Sequence, residues 1–508
     1  MAAQAKPILP EPRSLRVWTL LALVAVLISY LLNLLIGILC LILPFWVLER
    51  SPLWGILLLL FGAIAGITIL WSSIPRPQKF KPPGVLLDLV KHPKLAAEIE
   101  SIAAALAEPM PREVYLVLAP NAFVAEPGGR GRILGLGLPL LGALTVPQFR
   151  AVLAHEFAHF YSGDTRLGPW LYSARASMVR VLTNLHTGGA SQFLRALTAF
   201  AVIRLAYIGV FGAMQQYGKA LLRVTNFLSR RQEYRCDELA CHIGGSAAFI
   251  KALQSIHVAA LAFAPFWKSE VEPAVAVGFC PPLADGFARF LNAPSIKKQT
   301  GGKLDQAMSE PRENDFDTHP PLADRVRYAA LISGAQELHN EELAATLLED
   351  LGDVEAQLIA FAAPAVKVAK LKKMDWDTAA LHVFAPLWQA AVTPYVESLG
   401  SSSIGQLPEL VRAFQKTPPR IPDPPGMLLT KQQREDRVAS ILWMALNLAL
   451  IKAGWVLHIQ PGQRWIGREN QRLEPVALIS GLRFGTTSPE QWRKLCESLG
   501  VAEIPLAF

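Results

Sequence analysis

The sequence predicts a mainly helical α+β protein anchored in a membrane by its N-terminus. Three observations carry this reading. Two long uncharged apolar runs lie within the first 75 residues. A segment of helical periodicity farther on carries two histidines and a glutamate on adjoining turns. Short strand-like segments separated by glycines precede that helix.

Composition bounds the rest. A chain of 508 residues has room for about three domains. Hydrophobic residues make up 52% and charged residues 18%, against typical values of about 45–50% and 25%. This excludes a mainly disordered chain and points to apolar residues that face lipid. The net charge is +8, from 49 Lys and Arg against 41 Asp and Glu. No basic-aromatic patch accompanies it, so nucleic acid is not an expected partner. The five cysteines (Cys40, Cys236, Cys241, Cys280 and Cys496) are scattered and contain no C-x-x-C pair. They fit a reducing compartment and exclude a cysteine-based zinc finger.

From Val17 to Leu48 the chain is apolar and carries no charge. That is longer than the ~20 residues a membrane span requires, and far longer than a signal-peptide core. A second run covers Leu53 to Trp71, after the short connection Glu49-Arg50-Ser51-Pro52. The two form a transmembrane hairpin, about 17–44 and 53–74, whose first arm tilts or breaks near Pro44. Lys6, Arg13 and Arg16 precede the hairpin, and Arg76, Lys79, Lys81, Lys91 and Lys94 follow it. The loop holds only Arg50, so both ends are expected in the cytoplasm, at the inner cell membrane.

Three regions follow: the hairpin (1–80), a mixed domain (81–335), and a mostly helical C-terminal extension (336–508) split by a proline-rich linker at 417–426. In the mixed domain, Leu86–Ala107 reads as a helix. Val114–Leu118 and Ile133–Leu138 read as strands, turned by Gly128, Gly129 and Gly131. Asn292–Asp317 reads as a long polar loop. Leu197–Met214 is apolar but contains Arg204, a charge that costs about 2.5–3.5 kcal/mol at a bilayer centre, and is expected as a buried or interfacial helix. A strand element is expected near Trp455–Ile459.

The chemistry is expected between Thr145 and Asp237. Thr145 starts a helix, and Gln148 can reach back to it as in a capping box. Within that helix lies His155-Glu156-Phe157-Ala158-His159. Histidines at i and i+4 share one face and can bind one metal ion. Glu156 stands beside them, placed to take a proton from a water that zinc acidifies to a pKa of about 7. A catalytic zinc wants a third protein ligand and an open position. In one peptidase class the third ligand is a His six residues later, but here that position is Thr165. Glu233, in Ser229-Arg-Arg-Gln-Glu-Tyr-Arg-Cys-Asp237, is the alternative. Asp237, one turn on, can accept the outer N–H of a ligating His.

These segments, with Thr318-His319-Pro320, resemble the HtpX and CAAX prenyl protease family of membrane zinc metallopeptidases over roughly residues 85–335. The resemblance implies a zincin-type gluzincin domain with a small sheet. It implies one zinc ion on His155, His159 and Glu233, with Glu156 catalytic and Asp237 behind the ligands. His319 and Arg325 match the pair thought to assist the oxyanion. Asn121-Ala122-Phe123 matches the motif ahead of the substrate-pairing edge strand, here expected at Ile133–Leu138 with Leu134 and Leu136. HtpX-type members usually have two further apolar spans after the zinc helix, whereas one such stretch stands out here. The region beyond about residue 335 has no counterpart in the family.

The expected function is zinc-dependent endoproteolysis of misfolded or membrane proteins, with the catalytic domain facing the cytoplasm. Two rivals remain: a membrane scaffold with a structural zinc, and a processing protease for one partner.

Overall fold

The computed structural model describes residues 13–76, 80–127, 131–161, 164–187, 201–310, 319–334, 339–363, 371–419 and 428–507. Helix α1 (Arg13–Leu48) and helix α2 (Pro52–Ser73) form an antiparallel hairpin. At 36 residues, α1 is about 54 Å long and overshoots the shorter α2 at its N-terminal end. It does not break at Pro44, which lies inside the helix. Proline cannot donate to the Cys40 carbonyl. Gly62 of α2 lies so close to that carbonyl that a Cβ there would sit 2.0 Å from the oxygen. Gly37 and Gly66 make a second close approach in the same hairpin. In lipid, where association rests on packing, such small residues let helix backbones meet. Leu20, Leu27, Leu31 and Ile42 of α1 stay exposed on the outside of the pair.

Strand β1 (Val85–Leu86) and helix α3 (Pro93–Ala105) follow, so the expected helix over Leu86–Ala107 starts later, where Pro93 suits a first helical turn. Strands β2 (Glu113–Val117), β3 (Ala122–Ala125) and β4 (Ile133–Gly137) complete a sheet of order β1-β2-β4-β3. β4 runs parallel to β2 and antiparallel to β3, with Phe123 opposite Gly135 and Ala122 opposite Leu136. The expected edge strand Ile133–Leu138 is therefore interior, and the edge is β3. The reason is the Leu-Gly alternation of β4. Leu134 and Leu136 are fully buried on one face. On the other, the Phe123 ring covers Gly135 so closely that a Cβ would sit 2.2 Å from it. Burial on both faces is the mark of a central strand. Gly128 and Gly129 lie outside the described residues, and Gly131 takes a left-handed φ of +83°.

After α4 (Leu138–Ala143) come α5 (Val146–Tyr161), α6 (Asp164–His186) and the 44-residue α7 (Ala201–Gly244). α6 and the first half of α7 pack beside the hairpin. Leu171, Ala174, Met178 and Leu221 surround Ala22 and Val26 of α1, while Val181, Leu185, Ile203 and Met214 meet Phe61, Ala65 and Ile69 of α2. Arg180 donates to the Ser72 and Ile74 carbonyls at the end of α2, at 3.2 and 3.3 Å. The stretch expected as a buried or interfacial helix, of which 201–214 is described, thus lies along the outer half of the hairpin. Ala206, Gly209 and Val210 line a cavity there with Cys40 and Pro44.

Helix α8 (Ser246–Phe266) continues through a π-helical turn to Ala276. Among the described residues, three helices are long and apolar enough to cross a membrane: α1, α2 and this one. One face of the third is taken up by protein, since Phe249, Leu253, Ala259 and Phe266 belong to the core that surrounds α5. Next come α9 (Leu283–Asn292), α10 (Pro294–Ser309) and α11 (Leu322–Ala330). α10 replaces the expected loop over Asn292–Asp317. It is polar, contains Gly301-Gly302 and buries only Thr300, so no apolar stripe announces it.

The C-terminal extension shares this core, which runs from Leu87 to Leu506. Its first residues pair with the entry to α5: Val146 N–H donates to Glu342 O, and Ala344 N–H to Leu144 O. The expected strand near Trp455–Ile459 is β5 (Val456–Gln460), joined by β6 (Gln463–Arg468) and β7 (Gln471–Leu473). Arg464 of β6 donates to Ser269 O at 2.7 Å and pairs with the buried Glu270 in the π-helical turn.

Glu355, in the helix Leu351–Ala362, accepts the Ala284 N–H at 2.9 Å and is 2% exposed. Burial pushes its carboxyl up to about 7. An acid raised on folding binds more protons folded than unfolded, so its contribution is full below about pH 4.5 and is lost as pH rises through 7. Glu355→Gln is therefore expected to raise thermal stability relative to wild type at pH 8, by on the order of 2 kcal/mol, and to lose that advantage at pH 5. Melting curves at the two pH values check this.

Candidate metal centre

Helix α5 is the centre of the core. Phe149, Ala151, Leu153, Ala154, Phe157 and Ala158 are fully buried, leaving one stripe to face the cavity. Its entry is built as the sequence implies: Gln148 Oε1 accepts the Thr145 N–H at 3.2 Å. The second half of α7 crosses α5 at backbone distance. A Cβ on Gly244 would sit 2.6 Å from the Ala151 Cα. The intervening α7 residues that pack inward, Cys236, Leu239 and Ala240, are fully buried.

This crossing brings His155, His159 and Glu233 together. One ligand atom from each lies within 4.8 Å of the others. Glu233 Oε2 is 3.4 Å from His155 Nε2, and Oε1 is 3.8 Å from His159 Nε2. Two ligands each about 2.0–2.1 Å from a tetrahedral ion stand roughly 3.4 Å apart. Glu233 Oε2 is buried and makes no hydrogen bond. A His₂Glu set with an orphaned carboxylate oxygen fits a zinc ion, with one coordination position left to the cavity.

Behind the cluster, Asp237 Oδ1 is 3.1 Å from His155 Nδ1. Asp237 is fully buried and accepts two hydrogen bonds from Arg325, Nε to Oδ2 at 2.9 Å and Nη2 to Oδ1 at 2.6 Å. Arg325 was expected at an oxyanion. It lines the cavity, but two of its donors are committed to Asp237, and Nη2 lies 3.8 Å from Glu233. His319 is half exposed, with Nε2 3.4 Å from Glu233 Oε1. Thr318, its motif neighbour, lies outside the described residues.

The charges are strongly coupled. Burial alone would raise the Glu233 and Asp237 carboxyls, but His155 and Arg325 outweigh it and hold both below the usual range. Burial alone would lower His155, but Asp237 and Glu233 push it up to about 10. A divalent cation would compete with a proton for the same lone pairs. Glu156 is shifted upward by its burial, against the pull of His155 and His159.

Two contacts were not expected. Cys236 Sγ lies 3.4 Å from His159 Nδ1, so the outer nitrogen of each histidine faces a residue of α7. Its place three residues after Glu233, on the same turn, is the only signal in the sequence. Phe249 stacks on His155, ring centres 5.8 Å apart at 22°, and the Arg325 guanidinium carbon lies 5.9 Å from the Phe249 ring centre. Nothing in the sequence singles it out from other core aromatics. Of the expected substrate contacts, Asn121 and Ala122 line the same cavity as His155 and Glu156. Phe123 is turned onto Gly135, and Leu134 and Leu136 lie in the core away from it.

Residues 90–333 match the sequence profile of Peptidase family M48. Similar proteins include a protein named Protease HtpX homolog from Ralstonia nicotianae, 29% identical over 189 residues, covering 36% of this chain and 62% of that protein. Another of the same name, from Methylacidiphilum infernorum, is 24% identical over 290 residues, covering 53% and 84%. A third, from Burkholderia thailandensis, is 27% identical over 246 residues, covering 47% and 74%. The chain thus spans less than two thirds of the Ralstonia relative. No solved structure matches it. Over residues 90–333, just under half of its length, the chain is thus similar to the metallopeptidases of family M48, and an apolar hairpin long enough to cross a membrane precedes that region.

Proposed function

We propose that this protein is a membrane-anchored zinc endopeptidase that cleaves membrane or misfolded polypeptides on the cytoplasmic side of the inner membrane. The observation that carries this reading is the convergence of His155, His159 and Glu233 within reach of one ion, with Glu156 beside them on the same cavity. A zinc ion held by these three residues would supply Lewis acidity, polarising a carbonyl and bringing a water near a pKa of about 7.

The chain's own groups supply the rest. Glu156 takes a proton from the attacking water and delivers it to the leaving amine, a task that its raised proton affinity suits. His319, exposed on the far side of Glu233, donates to the developing oxyanion. Asp237 holds the His155 imidazole in one orientation, and Arg325 holds Asp237. The substrate lies extended along the free edge of β3, with Asn121 and Ala122 at the cavity mouth. The flanking charges around the hairpin support the cytoplasmic placement.

In detergent, the purified chain is expected to cleave an unfolded model protein, to stop when zinc is chelated, and to resume when zinc is restored. Glu156→Gln is expected to abolish cleavage while zinc content stays near one ion per chain. Cleavage by that variant would sink the mechanism, and a zinc-loaded wild type that cuts nothing would favour a scaffold role. Asp237→Asn is expected to weaken zinc affinity by about 10–100-fold, read by competition with a chelator. His319→Ala is expected to lower kcat by about 10²–10³ with zinc affinity retained.

A further inference from the structure

The cavity that holds His155 and Glu156 does not end at them. It has a volume of about 770 Å³ and continues along α8, where Phe249, Leu253, Ile256, Ala260 and Leu261 line it. The first four are spaced four, three and four residues apart, so they form one helical stripe. Phe249, stacked on His155, marks the catalytic end. From there to Leu261 the lining extends over 12 residues, or about 18 Å. The facing wall is α10 with its C-cap, which contribute Lys303, Gln306, Ala307 and, at the cap, Glu310, again on one face. One wall is therefore mainly apolar, with His257 beside its stripe, and the other carries a positive and a negative charge two turns apart.

An extended chain rises about 3.3 Å per residue, so about 18 Å of groove holds five to six residues. In an extended chain alternate side chains point the same way. Two or three of them would face the apolar stripe, and the intervening ones would face α10 and solvent. We propose that the α8–α10 groove is the specificity site of this enzyme: it binds the segment on one side of the scissile bond and selects apolar side chains at alternate positions. The groove's occupant is a substrate polypeptide because the groove is continuous with the catalytic residues. This inference rests on the peptidase reading above and narrows its substrate class to segments of the kind found in membrane spans and exposed cores.

The test uses the full zinc-loaded chain in detergent and fluorogenic peptides that share one cleavable core. One pair extends the core by six residues on its amino side and another pair on its carboxyl side. Within each pair, alternate positions carry Leu or Ser. For one side only, the Leu peptide is expected to be cleaved with a kcat/KM about tenfold or more above the Ser peptide, the difference lying in KM. Ala260→Trp, which fills the groove from an exposed position, is expected to bring that ratio near one. Ala260→Asp, which keeps the space but charges the stripe, is expected to do the same. Melting temperature and zinc content identify any variant that has not folded. No Leu preference in wild type, equal preference on both sides, or a preference that survives both folded variants would overturn the proposal. Failure of the wild type to cleave any of the peptides while its zinc is bound would instead overturn the peptidase reading, and the groove's role with it.

Discussion

A methyl group added at Gly244 of α7 would sit 2.6 Å from the Ala151 Cα of α5. That backbone-distance crossing is the constraint on which the centre depends, because the candidate metal-binding set is divided between the two helices. His155 lies one turn beyond Ala151, and Glu233 lies three turns before Gly244. A side chain at either point of contact would separate the helix axes, and a shift of about 1 Å is already costly for a site that must hold ligands within fractions of an ångström. The same crossing buries Asp237 and Cys236 against the outer faces of the two imidazoles.

The second constraint is electrostatic. Asp237 is fully buried, and such a carboxylate survives only when its charge is answered. Arg325, from a helix that follows α7 by nearly eighty residues, answers it with two hydrogen bonds. Removing one member of a buried pair of this kind costs roughly 3–5 kcal/mol, because the other is left uncompensated. Arg325 therefore links the last helix of the matched region to Asp237, which faces His155 Nδ1 at 3.1 Å. The C-terminal extension adds its own ties, at the entry to α5 through Glu342 and Ala344 and at the π-helical turn through Arg464 and Glu270.

Much of this was legible in the sequence because chemistry and periodicity left marks there. The uncharged runs of the hairpin, the capping residues of α5, the i, i+4 histidines and the Glu233–Asp237 spacing all follow from local rules. Where the reading failed, a tertiary contact decided the matter. β4 was expected at the edge, yet its glycines exist to admit the Phe123 ring, which only the paired strand reveals. α10 looked like a loop because a helix with one buried residue has no apolar stripe to read. Arg325 is a different case: it lines the cavity, as its motif match implies, and the fold adds two hydrogen bonds to Asp237 that no local pattern announces. α1 was expected to tilt or break near Pro44; it does not break there, and the freed Cys40 carbonyl faces a glycine in the neighbouring helix.

The uninterrupted run of α7 has a geometric consequence. Leu221 and Leu228 of this helix belong to the same packed cluster as Ala22 and Val26 of α1. Glu233 lies five residues beyond Leu228, or about 7.5 Å along the helix axis. One continuous helix does not stretch, so it acts as a ruler that ties the Glu233 carboxylate to the hairpin at a fixed offset. Any polypeptide that reaches Glu233 is therefore met close to the anchor, at a distance that one helix sets.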